Sequence, residues 1–297
     1  MTSLPNHLKK IVNELKNNGF EVLASDKCIK ELLINIPESD NIQNSTEVVL
    51  IRTKAATKRF KENPLLILKC LRYASTLNLF INNETSKAIH EHGYLINNIS
   101  VGDIKDEFVK ILCGDNVEYI LREYSDIFEV FIPEIHNMIG FDQHTPYHKY
   151  DVWEHTIHAV SISENTPLIR IVLFFHDIAK PDCLTIDKNG IGHFKDHALL
   201  GAEKTKKILI RMNFPRKEIE NITMIIANHR HTYKCEADVK KIINQIGKEL
   251  FFELIKVKRA DDSSKGFSNQ KDHSLLDFAE SIAKEIILIS NKYSNFK

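Results

Sequence analysis

The sequence predicts an all-α protein: a multi-helix array with a small α/β remnant at the N-terminus. Three observations carry this. Apolar residues recur at helical spacing along most of the 297 residues. Gly (10) and Pro (8) are scarce, which disfavours a turn-rich β protein. Strand signals are confined to "FEVLAS" (20–25), "TEVVLIR" (46–52) and a turn around "DKNGIGHF".

Taken in order, "MTSLPNHLKKIVNELKNNGF" reads as an amphipathic helix without the apolar core of a signal peptide. "NPLLILKCLRYASTLNLF" (63–80) is apolar at helical spacing, with Pro64 where a first turn would start. Residues 83–96 and 101–114 predict two more helices, the second stopped by Gly114. Residues 116–135 predict a helix pair ending at Pro133, followed by a His-rich loop, "HNMIGFDQHTPYHKY". Helices are then predicted over 151–162, 166–180, 196–214, 216–230, 238–247, 248–262 and 274–290, with a frayed "NKYSNFK" at the end.

Composition narrows the function little. The hydrophobic (43%) and charged (27%) fractions are those of a soluble globular protein. Lys+Arg and Asp+Glu are both 40, which argues neither for nor against nucleic acid. The five cysteines are odd in number and not closely spaced, so neither a disulfide framework nor a zinc knuckle is indicated, and a reducing cytoplasm fits. No apolar run approaches the ~20 residues of a membrane span.

Histidine is the anomaly: ten of the fourteen lie between His136 and His231. The sharpest stretch is "VLFFHDIAKPDC", where an apolar run meets His176 and Asp177 side by side. Two buried polar groups need partners, and a metal satisfies both at once. His155, His193, His197, His229 and Asp261 also sit near the ends or on one face of predicted helices, so distant segments can converge on one pocket. Imidazole and carboxylate together suit a divalent metal. His136, His144, His158, His231 and His273 read as ordinary hydrogen-bonded residues, and His90 and His92 as an exposed helix end. His148 and His193 either line the pocket or hydrogen-bond a loop.

"H…HD…D", as His155, His176–Asp177 and Asp261, resembles the HD superfamily of metal-dependent phosphohydrolases, as do "FFHDIAKP" and "HALLGAE". The resemblance implies a C-terminal HD domain in an all-helical fold. One metal would be held by His155, His176, Asp177 and Asp261, with His197 and His229 where two-metal members place extra ligands. Mn, Ni, Mg, Co, Fe and Zn, as one ion or two, all stay open. In this reading Asp177 positions or deprotonates the attacking water. Lys180 either holds a phosphate oxygen or is a solvated helix end, and the solvated end is the plainer reading.

From Arg59 to Asp261 the chain also resembles bacterial CCA-adding tRNA nucleotidyltransferases that carry a C-terminal HD domain, through "KENPLLILKCLRYA", "YHKYDVWEHTIHAV" and "LFFHDIAKPDCLTIDKNGIGHFKDH". Where that family has a glycine pair, this chain has Asp26 and Lys27; Lys30 and Glu31 replace Arg-Asp; Ser39 and Asn41 replace the two metal-binding aspartates, with Asp40 one position off. The nucleotide-selecting pattern keeps Glu62 but has Asn63 and Leu66 for Asp and Arg. Nucleotide addition needs two carboxylates to hold Mg²⁺ against the triphosphate, so this reading expects that activity to be lost. The expected organisation is a truncated nucleotidyltransferase head remnant (1–55), a neck and RNA-binding-like helical domain (56–125) and an HD domain (126–297).

Two functions follow from different classes. One is a cytoplasmic phosphohydrolase acting on phosphomonoesters or phosphodiesters such as 2′,3′-cyclic nucleotides or RNA ends. The other is a non-catalytic tRNA- or RNA-binding protein, for which Arg52, Lys54, Lys58, Arg59 and Lys61 offer a phosphate-contacting stripe or merely a solvated helix start. The oligomeric state is not legible.

Overall fold

A computed structural model describes residues 21–24, 49–52, 55–146, 149–266 and 272–294, with backbone alone for 21–24, 49–52 and 289–294. The nucleotidyltransferase-like positions 26–41, the first predicted helix and His148 lie outside the described residues. What is described is mostly helix, in two compact units, one ending at Phe131 and the other starting at Ile132.

In the first unit, β1 (Glu21–Ala24) pairs antiparallel with β2 (Val49–Arg52), and β2 pairs in parallel with β3 (Phe80–Ile81). β3 lies at the end of the stretch predicted as one helix. The helix, α2 (Leu65–Thr76), follows α1 (Ala56–Glu62) and stops early because Asn78 takes a left-handed conformation (φ 52°), which redirects the chain. Next come α3 (Asn83–His92), a 3-10 turn (Gly93–Asn98), α4 (Val101–Leu112), α5 (Val117–Glu123) and α6 (Ser125–Glu129). α2 packs on α4 through fully buried Leu68, Leu71, Phe108 and Ile111. Arg72 Nε donates to Glu107 Oε2 at 2.6 Å across the same contact, and Ser75 Oγ donates to the Ile111 carbonyl at 2.7 Å. Gly114 follows the end of α4 as expected, and a Cβ there would overlap Ser75, so close approach requires the glycine. His92, read as exposed, is buried at the end of α3, with its ring edge-on to Tyr94.

The second unit opens with a 3-10 turn (Pro133–Met138), then α7 (Val152–Ile162) and α8 (Pro167–Phe175). α7 starts where the Asp151 side chain accepts from Glu154 N at 2.7 Å. α8 starts at Thr166, with Pro167 in the first turn. α8 is apolar almost all round, and Ile169 to Phe175 are all buried; α7, α11 and α13 pack around it. α9 (Lys180–Cys183) leads into an antiparallel hairpin of β4 (Leu184–Ile186) and β5 (Gly192–Phe194). α10 (His197–Arg211) and α11 (Arg216–Asn228) form a packed pair. α12 (Glu236–Ile246), α13 (Lys248–Ser263) and α14 (Ser274–Ser294) complete the unit. α14 continues through Asn291, where the sequence suggests fraying. Among the described residues no helix is long and apolar enough to cross a membrane.

Candidate metal centre

Five helices, and the turn after one of them, deliver the histidines and acids to one buried place. His155 lies within α7, His176 caps the C-terminus of α8, and Asp261 lies near the C-terminus of α13. Asp177 sits in the turn after α8, which is held by Ile178 N to Phe175 O (3.1 Å) and Lys180 N to Asp177 O (2.9 Å). His197 opens α10, and His229 follows α11. All six are buried.

They form two triads, His155–His176–Asp261 and Asp177–His197–His229, each with ligand atoms within 4.8 Å of one another. Asp177 faces both: Oδ2 lies 3.4 Å from His155 Nε2 and 3.1 Å from His176 Nε2, while Oδ1 lies 3.4 Å from His197 Nε2 and 3.8 Å from His229 Nε2. Asp261 Oδ1 is 3.2 Å from His155 Nε2.

Outer contacts fix which imidazole nitrogen faces inward. Nδ1 of His176, His197 and His229 each meets a backbone carbonyl, those of Leu173 (2.7 Å), Phe194 (2.6 Å) and Ile226 (2.7 Å). A carbonyl only accepts, so each Nδ1 donates and each neutral ring turns an Nε2 lone pair inward. Ser264 Oγ donates to the Asp261 carbonyl at 2.7 Å, which leaves it to accept from His155 Nδ1 at 3.0 Å. The lone pairs therefore meet in pairs: His155 and His176 Nε2 lie 3.3 Å apart, as do those of His197 and His229. Asp177 Oδ2 accepts no hydrogen bond of ordinary geometry, although the Lys180 ammonium lies 2.7 Å away. Converging imidazole lone pairs around a buried carboxylate fit a cation and little else.

The electrostatics agree. Burial pulls His155 and His197 below the usual imidazole range, and takes His229 to about 3 with help from His176. Burial acts the same way on His176, but the Asp177 carboxylate outweighs it and raises this one. Burial alone would raise Asp177 and Asp261. His176 and Lys180 hold Asp177 well below the carboxylate range, and the His155 hydrogen bond and Lys265 do so for Asp261.

Two side chains depart from the sequence reading. Lys180 is no solvated helix end: it is 6% exposed, and its Nζ also donates to Gln143 Oε1 at 2.8 Å. Gln143, in the His-rich loop, is itself buried and donates through Nε2 to the Tyr150 carbonyl at 3.0 Å. The sequence offered no signal for Gln143 beyond its place in that loop. His193 is exposed and bonds Asp187 at 3.0 Å, away from the cluster.

A family described as "Probable RNA and SrmB- binding site of polymerase A" matches residues 78–139. The CC-adding tRNA nucleotidyltransferase of Thermus thermophilus is 26% identical over 57% of this chain and 42% of its own length. The A-adding tRNA nucleotidyltransferase of Deinococcus radiodurans is 24% identical over 77% of this chain and 55% of its own. A bifunctional uridylyltransferase/uridylyl-removing enzyme of Nitrobacter winogradskyi is 24% identical over 65% of this chain and 22% of its own. The chain thus spans less than two thirds of these curated relatives. The crystal structure of the Bacillus stearothermophilus CCA-adding enzyme in complex with CTP shares the fold, at TM-score 0.51 and 13% identity, over 95% of this chain and 83% of that one. Over part of its length, this chain is related to the CCA-adding and poly(A) polymerase-like tRNA nucleotidyltransferases.

Proposed function

We propose that the chain is a metal-dependent phosphohydrolase of HD type, acting on a phosphomonoester or on a phosphodiester such as a 2′,3′-cyclic nucleotide or an RNA end. The observation that carries this is the convergence of four inward-facing imidazole nitrogens on both oxygens of Asp177. His155, His176 and Asp261 would hold one cation, His197 and His229 a second, and Asp177 would be shared. Four imidazoles suit Mn, Fe, Co, Ni or Zn better than Mg, which prefers oxygen. A divalent cation bound there supplies Lewis acidity and an activated water for attack on phosphorus.

The chain's own groups then have distinct tasks. Asp177 offers one oxygen to each triad and orients the water. Ser264 and the three backbone carbonyls keep every ring in the ligating tautomer. Lys180, engaged by Asp177 and Gln143, is a positioning residue that holds the carboxylate. Likeness to enzymes named as uridylyl-removing supports a hydrolytic role. We further propose that 1–55, 56–125 and 126–297 correspond to a head remnant, a neck and an HD domain. Nucleotide addition is lost in this reading, because Ser39 and Asn41 stand where two carboxylates are required.

A second reading, non-catalytic tRNA or RNA binding, draws on the match over 78–139. That segment carries eleven Asp or Glu against four Lys or Arg, which opposes contact with phosphates. Any such contact falls instead to exposed cations such as Lys58 and Lys61 on α1.

The test is a phosphoesterase screen with 2′,3′-cyclic AMP, an aryl phosphodiester and nucleoside monophosphates, each with Mn²⁺, Fe²⁺, Co²⁺, Ni²⁺, Zn²⁺ and Mg²⁺. Hydrolysis abolished by Asp177→Ala is the expected result. No hydrolysis by folded protein with any metal, or hydrolysis that survives Asp177→Ala, overturns the proposal.

A further inference from the structure

One helix reaches both triads. Lys258 lies on α13 three residues before Asp261, so the two side chains leave the same face. Asp261 serves the first triad, with Oδ1 3.2 Å from His155 Nε2. Lys258 serves the second: its Nζ donates to the His229 carbonyl at 2.6 Å.

The contact matters because of where His229 lies. The carbonyls of Asp177 and Asp261 each accept from a backbone N–H of their own turn, Lys180 N at 2.9 Å and Ser264 N at 3.2 Å. His155 sits inside α7 and His197 opens α10, so helical backbone holds both. His229 follows the last turn of α11, where carbonyls lack an intrahelical donor. Its N–H (3.3 Å) and its ring Nδ1 (2.7 Å) both turn back to the Ile226 carbonyl. Those bonds fix the ring against α11, and Lys258 supplies the tie to α13. The Lys258 ammonium also lies 5.8 Å from the centre of the Tyr233 ring, which is buried and edge-on to Phe251 of α13 at 5.5 Å. One side chain thus meets the stretch after α11 at His229 and again at Tyr233.

We propose that Lys258 is a positioning residue for the second cation site: by holding the His229 backbone to α13, it keeps His197 and His229 in ligating register with Asp177 and the first triad. It donates to backbone and not to a ligating nitrogen, so its loss spares the first site, whose ligands His155, His176 and Asp261 it does not touch. The inference rests on the two-cation arrangement of the proposed function, but not on hydrolysis.

The experiment is Mn²⁺ titration calorimetry on the full chain, with electron paramagnetic resonance reading whether two bound ions are spin-coupled. The parent binds two ions and shows the coupled signal. Lys258→Met removes the donor and keeps the apolar stem. It retains the first ion, binds the second on the order of tenfold more weakly or worse, and shows the signal of an isolated ion. Lys258→Arg restores a donor and recovers the second ion. Lys258→Gln, the milder change, decides by the same count if Lys258→Met does not fold. Two coupled ions of unchanged affinity in the folded variant, or both ions weakened equally, overturn the role given to Lys258. A parent that binds one ion or none overturns it together with the two-cation arrangement. Selective loss of the second ion in a protein that hydrolyses no ester supports the role of Lys258 and removes the hydrolase reading.

Discussion

The Lys180 ammonium sits 2.7 Å from Asp177 Oδ2, the same oxygen that faces His155 and His176. A positive charge thus stands against a carboxylate that is also oriented towards a set of metal-type donors. In the proposed centre the lysine and a bound cation would share one oxygen, and Gln143 keeps the lysine in place by accepting from its Nζ at 2.8 Å.

This sharing makes the cost of losing Lys180 depend on metal. In metal-free protein Lys180→Met leaves Asp177 as a buried charge without its lysine partner, which costs about 3–5 kcal/mol. With Mn²⁺ bound, the cation compensates Asp177, and the loss falls to about half of that or less. Denaturant unfolding of both proteins, with chelator and with Mn²⁺, reads the difference. The same cost in both states would mean that no cation reaches Asp177.

The buried imidazoles predict acid sensitivity in the metal-free protein. His229 is held to about 3 when folded against 6.5 for the ordinary group, with burial the main cause. The unfolded chain therefore binds a proton below pH 6.5 that the folded chain refuses until about 3. This contribution is complete above 6.5 and is lost as pH falls through that window, by up to ~1.4 kcal/mol per pH unit. His155 and His197, also lowered, add in the same direction, and the raised His176 opposes them. Unfolding free energies between pH 7.5 and 5 should fall with acid, and His229→Gln should flatten the curve. An unchanged slope in the variant would show that His229 is not among the groups that refuse the proton.

The histidine–aspartate cluster was legible because its signal is local: a histidine and an aspartate ending an apolar run, and further histidines at helix ends. The helices were legible for the same reason, since the period of α8 or α13 is written in the segment itself. What surrounds the ligands was not. Lys180 lies in a short polar stretch and reads as solvated, yet it is buried by a glutamine 37 residues away. β3 was hidden because its two residues extend an apolar helical pattern, and only the left-handed Asn78 and the partner strand β2 separate it. Packing between distant segments decides both, and no window of sequence contains it.

Gly192 ties the hairpin to the loop that carries Gln143. Its N–H donates to the His144 carbonyl at 2.6 Å, and a Cβ would overlap the Gln143 carbonyl oxygen. That neighbour is backbone, so Gly192→Ala must push the loop away, at about 1–3 kcal/mol. The displacement carries the Gln143 amide off Lys180, and Mn²⁺ affinity should fall along with the melting temperature. Thermal melts and metal titrations of the one variant test this. Lost stability with unchanged affinity would uncouple the hairpin from the centre.

Gly201 predicts the opposite sign. It lies inside α10 on the face turned to the His176–Asp177 turn, where a Cβ would meet His176 O at 3.5 Å, Ile226 Cγ2 at 3.7 Å and Ala179 Cβ at 3.8 Å. These are ordinary contacts, so an alanine fits without displacing the turn. A glycine inside a helix costs about 0.5–1 kcal/mol relative to alanine, and Gly201→Ala should recover most of that as stability. Gly201→Leu has no such room. Its added atoms press on the His176 carbonyl and tilt the turn that aims Asp177, so metal affinity falls even where the helix itself is favoured. Chemical denaturation of the two variants and Mn²⁺ titration of each separate propensity from packing. An alanine variant less stable than the parent would show that the face is closer to the turn than these distances allow.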